Sequence, residues 1–493
     1  MPKLQLPEKL HNDDYSILTT EARIIVIVGG RGSAKSESVA SLLVLKSQTE
    51  QADILCGREF QNSIDESVHK LLKEMIEQRL EVGGQFNITD KKIDCNTGGG
   101  FRFRGFNRNP EAVKSAQGFK YSWIEEAQNI SQRTIDDLLP TIRSGGSKLF
   151  FTANPQNSND PFSKRFITPY LRHLITKGYY EDEMHLIIFM NWRDNPWFPA
   201  ELEQQRQWDL ANLPRSKYDW IWEGAFNDGV EDALIQPEWF DACVDAHIAL
   251  GFEPVGMKMA AHDPSDEGGD TKGYAMRHGS VVLRVCEKDT GNVNDGGDWA
   301  TDLALADQVD GFTWDCDGMG VALQRQIGKA FHGKHTRIAM FKGSEKVDRP
   351  DAVSEILDPE SHSVIQGNRK NKDVYKNKRA QYYSELRKRV LNTYNAVVRR
   401  QYCDPDKMIS FNSATIEPGT LQKLRSEMCR MPIKPNSSGL FELYTKPEMK
   451  SKFKVDSPNL SDSCMMLMRT PYSNQQVNNS AGRPAPIKPM GRR

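Results

Sequence analysis

The sequence contains no apolar run of the roughly 18 residues that a membrane-spanning helix needs, and runs such as IIVIV at positions 24–28 are far shorter. Its first residues, MPKLQLPEKLHNDDYS, lack the charged-then-apolar order of a secretory signal peptide. The eight cysteines are scattered, and no two form a CxxC pair. This spacing argues against a zinc site or a disulfide framework and favours a reducing compartment. We therefore expect a soluble protein with no membrane segment.

The chain also lacks a large net charge of either sign: the formal value is −1 over 493 residues. A balance this close to zero does not by itself indicate a nucleic-acid partner. The balance is uneven, because residues 366–400 contain eleven lysines or arginines against two acids, with four tyrosines between them. Such a stretch is either the solvated face of a helix or a surface that contacts a phosphate backbone. The sequence leaves both interpretations open.

A chain of this length is expected to form two or three domains. From residue 24 to about 155, short β-branched strands alternate with helical patterns, which predicts a parallel α/β sheet. A second α/β region begins near VGMKMAAHDPSDEGGD, after a loop-rich, aromatic segment that we interpret as a helical connection. The predicted divisions are a first domain over 1–170, a helical linker over 171–240, a second domain over 241–472 and a disordered tail over 473–493.

The stretch IIVIVGGRGSAKSES, residues 24–38, has the order of a phosphate-binding loop. An apolar strand leads through three glycines to Lys35 and Ser36, which open a helix. In such a loop, backbone N–H groups and a lysine bind phosphates, and a hydroxyl binds magnesium. Ala34 stands where the second glycine of the loop is usual, and we expect its methyl group to be tolerated if the residue is already helical. Taken alone, the pattern also fits an ordinary glycine-rich strand-to-helix turn.

Two further segments carry the chemistry that ATP hydrolysis needs. FKYSWIEEA presents Glu125 and Glu126 after an apolar strand, as a magnesium-binding acid and a water-activating acid would be, although IEEA is also a common helix start. KLFFTANP ends in polar residues suited to sensing the γ-phosphate, and Arg31 either stabilises transferred charge or is a surface arginine. The residues predicted to contact the nucleotide are Gly29, Gly30, Arg31, Gly32, Ser33, Ala34, Lys35, Ser36, Thr152 and Asn154.

A separate set of aspartates lies in the second half of the chain. Asp263 ends one predicted strand, Asp315 and Asp317 end another, and Asp462 begins an apolar helix. Three convergent carboxylates bind hard divalent cations, and two such ions clamp the oxygens of a phosphodiester undergoing hydrolysis. Each aspartate has an ordinary alternative as a helix cap, a turn residue or a solvated strand end. As an ordered strand, strand and helix set, they predict a ribonuclease-H-like metal site.

The order of GGRGSAKS, FRGFNRNPEAVKSAQGFKYSWIEEAQ, LFFTANP, RDNPWFP, HDPSDEGGDTKG, DCDGMG and SDS resembles the large terminase subunit of tailed bacteriophages. The resemblance covers residues from about 20 to 470. It implies an α/β protein with an N-terminal ASCE-type P-loop ATPase domain and a C-terminal RNase H-like nuclease domain. The cofactors implied are ATP with Mg²⁺ at the first site and Mg²⁺ or Mn²⁺ at the second.

The resemblance also assigns roles to individual residues. Lys35 and Ser36 match the phosphate and magnesium positions, and Glu125 the metal-associated acid. Glu126 matches the catalytic base, and Thr152 to Asn154 the coupling motif. The three nuclease carboxylates match Asp263, Asp315 and Asp462. Asp315 is preferred to Asp317 because the family pattern places the acid three residues before the first glycine of the Gly-x-Gly turn.

The partners implied by the resemblance are double-stranded DNA, the portal protein and the small terminase subunit. A homo-oligomeric ring of five copies is implied on the procapsid, with a monomer when free. The location implied is the host cytoplasm, with transient docking on the procapsid and absence from the mature virion. Two rival functions stay open: an ATP-dependent translocase or helicase without nuclease activity, and an assembly protein whose loop no longer hydrolyses ATP.

Overall fold

The computed structural model describes residues 4–59, 68–106, 118–227, 233–268, 270–358, 363–434, 439–453 and 457–469. The chain divides into two compact units, Met1–Asp228 and Gly229–Arg493. Within the described ranges, no helix is long and apolar enough to cross a membrane. The predicted disordered tail over 473–493 lies outside the described residues.

The first unit is built on a nine-stranded sheet with the order β3-β4-β5-β2-β6-β7-β1-β9-β8. The strands from β5 to β9 in this order run parallel, whereas β3, β4 and β8 pair antiparallel with their neighbours. The strands are β1 Ile24–Val28, β2 Asp53–Arg58, β3 Phe86–Thr89, β4 Lys92–Cys95, β5 Gly100–Gly105, β6 Tyr121–Glu125, β7 Lys148–Ala153, β8 Tyr179–Glu181 and β9 His185–Phe189.

The strand order places the sites of this unit. β7 is inserted between β1, which leads into the glycine-rich loop, and β6, which ends in Glu125. This insertion is the arrangement of the ASCE-type P-loop fold, so the predicted fold class is confirmed. β1 is buried along its whole length, with alternate residues packing into the cores on the two sheet faces. Its apolar run therefore suits a central strand covered on both sides.

Helices cover both faces of the first sheet. They are Lys35–Thr49, Lys70–Glu74, Gln132–Thr141, Pro161–Phe166, Leu171–Lys177, Ala200–Asn212 and Arg215–Tyr218, with π-helical turns at Met75–Arg79 and Asp219–Glu223. Short 3₁₀ turns lie at Glu8–Leu10, Gly83–Gln85, Ala127–Asn129, Thr168–Tyr170 and Trp192–Asp194.

The second unit contains a six-stranded sheet with the order β14-β13-β10-β11-β12-β17. β10, β11 and β12 form an antiparallel meander, and β13 and β14 run parallel to β10. This is the RNase H-like arrangement, as predicted. β15 and β16 form a separate hairpin. The strands are β10 Lys258–Asp263, β11 Lys272–His278, β12 Val281–Lys288, β13 Gly311–Asp315, β14 Arg337–Phe341, β15 Val353–Asp358, β16 Ser363–Lys370 and β17 Ser410–Phe411.

The helices of the second unit pack on both faces of its sheet. The long helix Lys378–Val398 and the short helix Asn459–Met466 share one apolar core with β10 and β12. The other helices are Pro237–Cys243, Ala246–Leu250, Val293–Ala306, Gln324–Ala330, Asn371–Val374, Pro418–Cys429 and Lys446–Phe453, with 3₁₀ turns at Met319–Leu323 and Pro405–Lys407.

The segment predicted as a helical linker, 171–240, differs from expectation. Its residues up to Asp228 fall in the first compact unit, and it contributes β8 and β9 to the large sheet. β9 pairs with β1 from Ile24 to Val28 because the run HLIIF buries its apolar side chains in the sheet. The surrounding prolines and aromatic residues suggested loops, so this short buried strand was not predicted.

Candidate functional site

The glycine-rich loop joins β1 to the helix Lys35–Thr49. Ala34 lies in the left-handed region, with φ 62° and ψ 18°, so the condition of a helical backbone at this residue is not met. That conformation costs a non-glycine residue roughly 1–2 kcal/mol. Its carbonyl accepts the backbone N–H of Ser38 at 3.0 Å, so the first turn of the helix starts from this residue. The loop therefore reaches the usual turn geometry without the usual glycine.

Lys35 is surrounded by oxygen acceptors. Its Nζ lies 3.2 Å from Gly29 O, 2.8 Å from Gly30 O, 2.9 Å from Ser33 Oγ and 2.7 Å from Asn154 Oδ1. Burial lowers the pKa of Lys35 to about 7, and the charge of Glu125 opposes this shift. The ammonium is thus held where the loop and the end of β7 meet.

Two acids and an arginine face the loop. Glu125, at the end of β6, accepts a hydrogen bond from Ser36 Oγ at 3.4 Å and forms an ion pair with Arg58. Arg58 Nη2 also lies 2.8 Å from Glu126 Oε1. Burial raises the pKa of Glu125, while Arg58 acts in the opposite direction. Glu126 has φ 51°, a left-handed conformation of the kind that clusters at functional sites.

One cleft of about 460 Å³ is lined by the lysine and serine of the loop and by both glutamates, together with Arg31, Gln128, Thr152 and Asn154. Thr152 accepts the indole N–H of Trp123 at 2.9 Å, whereas Asn154 reaches Lys35. The cleft brings a cation, a hydroxyl and two carboxylates around a loop that ends at a helix N-terminus. This arrangement suits a nucleoside triphosphate and its magnesium ion.

A second cleft of about 310 Å³ adjoins the first and shares Ala34 and Glu37 with it. Its apolar lining includes Met75, Leu80 and Trp197. The same lining carries polar side chains as well, from Gln5, Glu37, Ser38, Ser41 and Arg79. The position, directly beside the phosphate-binding loop, suits the base of the nucleotide.

The second unit brings three aspartates to one edge of its sheet. Asp263 and Asp315 end the neighbouring parallel strands β10 and β13, and Asp462 lies in the first turn of the helix Asn459–Met466. Lys446 Nζ lies 3.0 Å from Asp263 Oδ2 and 3.2 Å from Asp462 Oδ2. An ammonium group therefore lies between two of the three carboxylates.

Asp462 has further partners on the helix Lys378–Val398. Tyr383 Oη donates to Asp462 Oδ1 at 2.6 Å, and Arg379 Nη2 lies 3.3 Å from the same oxygen. One residue earlier, the backbone N–H of Ser461 donates to the buried carboxyl of Glu427 at 2.8 Å. These contacts fix the orientation of the helix that carries Asp462.

The pKa values of the three acids are not all shifted in the same direction. Burial raises the pKa of Asp315 to about 7, and the charge of Asp263 adds to this. Burial likewise raises the pKa of Asp263 to about 6, although Lys446 opposes the shift. Burial also acts to raise the pKa of Asp462, but Arg379 and Lys446 outweigh it and hold the value below its usual range. The site concentrates negative charge that a cation stabilises.

The chemistry of the donors fits a hard divalent cation, because carboxylate oxygens are the ligands that Mg²⁺ and Mn²⁺ prefer. The spacing is not that of a formed metal site: among the described residues, no three His, Cys, Asp or Glu side chains are grouped to hold a metal ion. Lys446 already supplies a positive charge between Asp263 and Asp462. A metal ion would therefore have to displace this ammonium.

The family model of the phage terminase large subunit matches residues 21–232. The PBSX phage terminase large subunit of Bacillus subtilis (strain 168) is 28% identical over 184 residues, which is 34% of this chain and 42% of that relative. The terminase large subunit of Bacillus phage SPP1 is 32% identical over 108 residues, which is 20% of this chain and 25% of that relative. The matched segments thus span less than half of either relative.

A solved structure extends the likeness. The nuclease domain of the large terminase subunit of bacterial virus Sf6 is 46% identical, and the match covers 49% of this chain and 100% of that domain, with a TM-score of 0.45. The chain belongs to the phage terminase large-subunit family. As a member, it carries the glycine-rich loop and the three aspartates in two different compact units.

The structure distinguishes the two aspartates that follow β13. Asp317 accepts the backbone N–H and the hydroxyl of Ser344, both at 2.7 Å. Asp315 accepts the backbone N–H of Asp317 at 2.9 Å, and its pKa responds to the charges of Asp263 and Asp462. Asp315 therefore interacts with the charges of the other two acids, whereas Asp317 is engaged with the loop after β14.

Sequence reasoning missed the residues that hold the acids in place. Arg58 ends β2 in ADILCGRE, where a charge at a buried strand end was the available signal. Lys446, Arg379, Tyr383 and Glu427 gave no local signal, because each is far along the chain from the aspartate region it supports.

The basic stretch 366–400 divides into two parts. Its N-terminal cations are exposed, whereas Lys378 is buried against Glu345 at 2.9 Å and Asp348 at 3.2 Å. Lys388 is also buried, beside Glu385. The basic stretch therefore does not form one continuous surface, because the helix Lys378–Val398 packs several of its polar residues into the fold. The exposed basic residues before it are Arg369, Lys370, Lys372 and Lys376.

Proposed function

We propose that the chain is an ATP-driven motor that moves double-stranded DNA into a procapsid and a metal-dependent endonuclease that cuts concatemeric DNA. The observation that supports this most directly is the presence of two unlike sites in one chain. Lys35 and Glu125 face a cleft of about 460 Å³ in the first unit, and three aspartates lie at one edge of the sheet in the second. Family membership agrees with both sites.

In the first site, Lys35 binds the β- and γ-phosphate oxygens, and Ser36 with Glu125 would hold Mg²⁺. When bound, that ion supplies positive charge to the phosphates. Glu126 accepts the proton of the attacking water, and Arg58 fixes both glutamates by pairing with each. Arg31 lies in the loop and contributes charge to the transferred phosphoryl group. The neighbouring cleft with Trp197 takes the adenine base.

In the second site, Asp263, Asp315 and Asp462 would hold Mg²⁺ or Mn²⁺, which supplies Lewis-acid charge to the scissile phosphate. We assign the second carboxylate to Asp315, because Asp317 is engaged with Ser344. Tyr383 holds Asp462 by a hydrogen bond, so it limits the rotation of that carboxylate.

DNA contact is assigned to the exposed basic residues that precede the helix Lys378–Val398. Lys370 and Lys372 both pair with the exposed Asp351, at 3.2 Å and 2.8 Å. A DNA phosphate that binds these lysines therefore replaces only a solvent-accessible carboxylate. Contacts to phosphates suit a motor that must grip any sequence. Converting both lysines to glutamine should lower the salt dependence of DNA binding, by roughly 0.9 in the log–log slope for each lost phosphate contact. An unchanged slope would exclude this surface.

The partners proposed are the portal protein and the small terminase subunit, with a ring of five copies on the procapsid and a monomer when free. The chain acts in the host cytoplasm, docks transiently and is absent from the mature virion. The roles proposed for the two compact units are ATPase for Met1–Asp228 and nuclease for Gly229–Arg493.

An alternative function is ATP-dependent DNA translocation without nuclease activity. The observation that favours it is Lys446, whose ammonium lies between Asp263 and Asp462 and neutralises them without a metal ion. The alternative requires that this lysine stays in place when divalent cations are present.

The test is paired. ATP hydrolysis and cleavage of plasmid DNA with Mg²⁺ or Mn²⁺ are measured for the wild type, Lys35→Ala, Asp263→Ala and the exposed control Lys450→Ala. Two independent sites predict that Lys35→Ala loses only hydrolysis and Asp263→Ala loses only cleavage, with the control like the wild type. A wild type that hydrolyses ATP but cuts no DNA with either metal would favour the translocase. A wild type that does neither would reject the proposed function.

A further inference from the structure

The turn Asp219–Glu223, together with Gly224, lies directly against the phosphate-binding loop. The backbone N–H of Arg31 donates to Ile221 O at 2.7 Å. A Cβ atom on Gly30 would lie 2.1 Å from Trp222 O, so the two backbones touch with no side chain between them. Because packed backbone cannot deform smoothly, a shift of the loop has to move this turn.

The same turn also contacts the opposite side of the nucleotide cleft. The indole Nε1 of Trp220 donates to Pro155 O at 3.0 Å. Pro155 follows Asn154, whose side chain bonds Lys35. Proline has a fixed φ, so little motion of Asn154 is absorbed before it reaches that carbonyl. A second bond follows, from the backbone N–H of Asn227 to Gln156 O at 2.6 Å.

Lys35 supplies the reason for motion when nucleotide binds. An ammonium group has three N–H donors, and four protein oxygens lie within hydrogen-bonding distance of this one. A phosphate oxygen must displace at least one of them. Gly29, Gly30 and Ser33 all belong to the loop, so Asn154 is the acceptor among these four that comes from another element. When Asn154 is released from Lys35, the backbone that follows it is free to shift, and this backbone includes Pro155, which Trp220 contacts.

We propose that Trp220 is a positioning residue that transmits the displacement of Asn154 by nucleotide to the chain segment leaving the first unit. Trp220 stands eight residues before Asp228, where that unit ends. The indole bond to Pro155 and the backbone bond from Arg31 tie the turn to both sides of the cleft. The inference rests on the proposed ATPase function and adds a path by which nucleotide state reaches residues 225–227.

The test uses amide hydrogen exchange in the full chain. Exchange in peptides covering 219–227 is measured with and without ATPγS for the wild type, Trp220→Phe and Trp208→Phe. Trp220→Phe keeps an aromatic ring but loses the N–H donor, and Trp208 is an exposed tryptophan in the same unit. Nucleotide affinity is measured separately for each protein. The expected result is a severalfold change in exchange at 225–227 on nucleotide binding in the wild type and Trp208→Phe.

In Trp220→Phe, nucleotide affinity should match the wild type while the exchange change is lost. A purely structural role would instead alter exchange equally with and without nucleotide. Retention of the response in Trp220→Phe, or no response in a wild type that binds ATPγS, would overturn the proposal while leaving the ATPase function standing. A wild type that binds no nucleotide would reject both.

Discussion

Lys446 offers the sharpest test of the second site. Its ammonium lies 3.0 Å from Asp263 and 3.2 Å from Asp462, and the two aspartate side chains are only 3% and 5% exposed. Replacing Lys446 with alanine leaves two buried acids near each other, with Arg379 as the remaining cation beside Asp462. We expect the variant to be destabilised without metal and strongly stabilised by Mn²⁺.

The magnitude follows from the burial. Removing one partner of a fully buried ion pair costs about 3–5 kcal/mol, and an exposed pair less than about 1 kcal/mol. The side chain of Lys446 is 36% exposed, so we expect a loss of about 2 kcal/mol in the free energy of unfolding. For a unit of this size, that corresponds to a fall of about 4–8 °C in the melting temperature.

The metal response has the opposite sign. Without the ammonium, a divalent cation takes its place between the acids, and a ligand at about 100 times its Kd stabilises the fold by about 2.7 kcal/mol. The wild type should gain less, because the metal must first displace Lys446. The assay is thermal unfolding of the full chain in EDTA and in MnCl₂, with Lys450→Ala as a control on the same helix. Equal metal-induced shifts in the variant and the wild type, or no loss of stability in EDTA, would refute the reasoning.

Three further predictions concern residues that hold other groups in place. Arg58→Gln should lower kcat for ATP hydrolysis on the order of 10- to 100-fold, because Arg58 pairs with the proposed base Glu126 and also with Glu125. Burial raises the pKa of Glu427 to about 8, so the folded protein retains a proton that the unfolded chain releases near its usual pKa of about 4.3, and stability should fall as pH rises between these values. Glu427→Gln keeps an acceptor for the backbone N–H of Ser461. Its free energy of unfolding in urea, relative to that of the wild type, should therefore be higher at pH 8 than at pH 5. Lys378→Ala should lower the free energy of unfolding by roughly 1–2 kcal/mol, since it removes a buried lysine that pairs with the half-exposed Glu345 and the partly buried Asp348.

Matched controls separate these effects from general damage. Arg133→Gln removes an exposed ion pair with Asp137 and should leave kcat unchanged. A Glu427→Gln variant with the same pH dependence as the wild type would show that this carboxyl is ionised in the fold. Lys370→Ala should change stability by less than about 1 kcal/mol, because its pair is exposed. Equal losses for Lys370→Ala and Lys378→Ala would contradict the division of the basic stretch.

Much of the fold class followed from local order along the chain. The strand, three glycines, Lys35 and Ser36 lie within a few residues of one another, so backbone rules predict a phosphate-binding turn without any tertiary knowledge. The aspartates at the ends of apolar strands were found in the same way. The left-handed Ala34 was missed, because its conformation depends on how the loop meets the helix behind it.

The sequence by itself therefore determined the candidate site residues: a lysine, two glutamates and three aspartates at the ends of predicted elements. Only the tertiary structure decided what holds them. Arg58 lies 67 residues from Glu125, and Lys446 lies 183 residues from Asp263. Such pairs depend on which strands become neighbours and where a distant helix packs. The physical reason is that side-chain electrostatics acts over a few ångströms, whereas the chain brings these groups together only after folding.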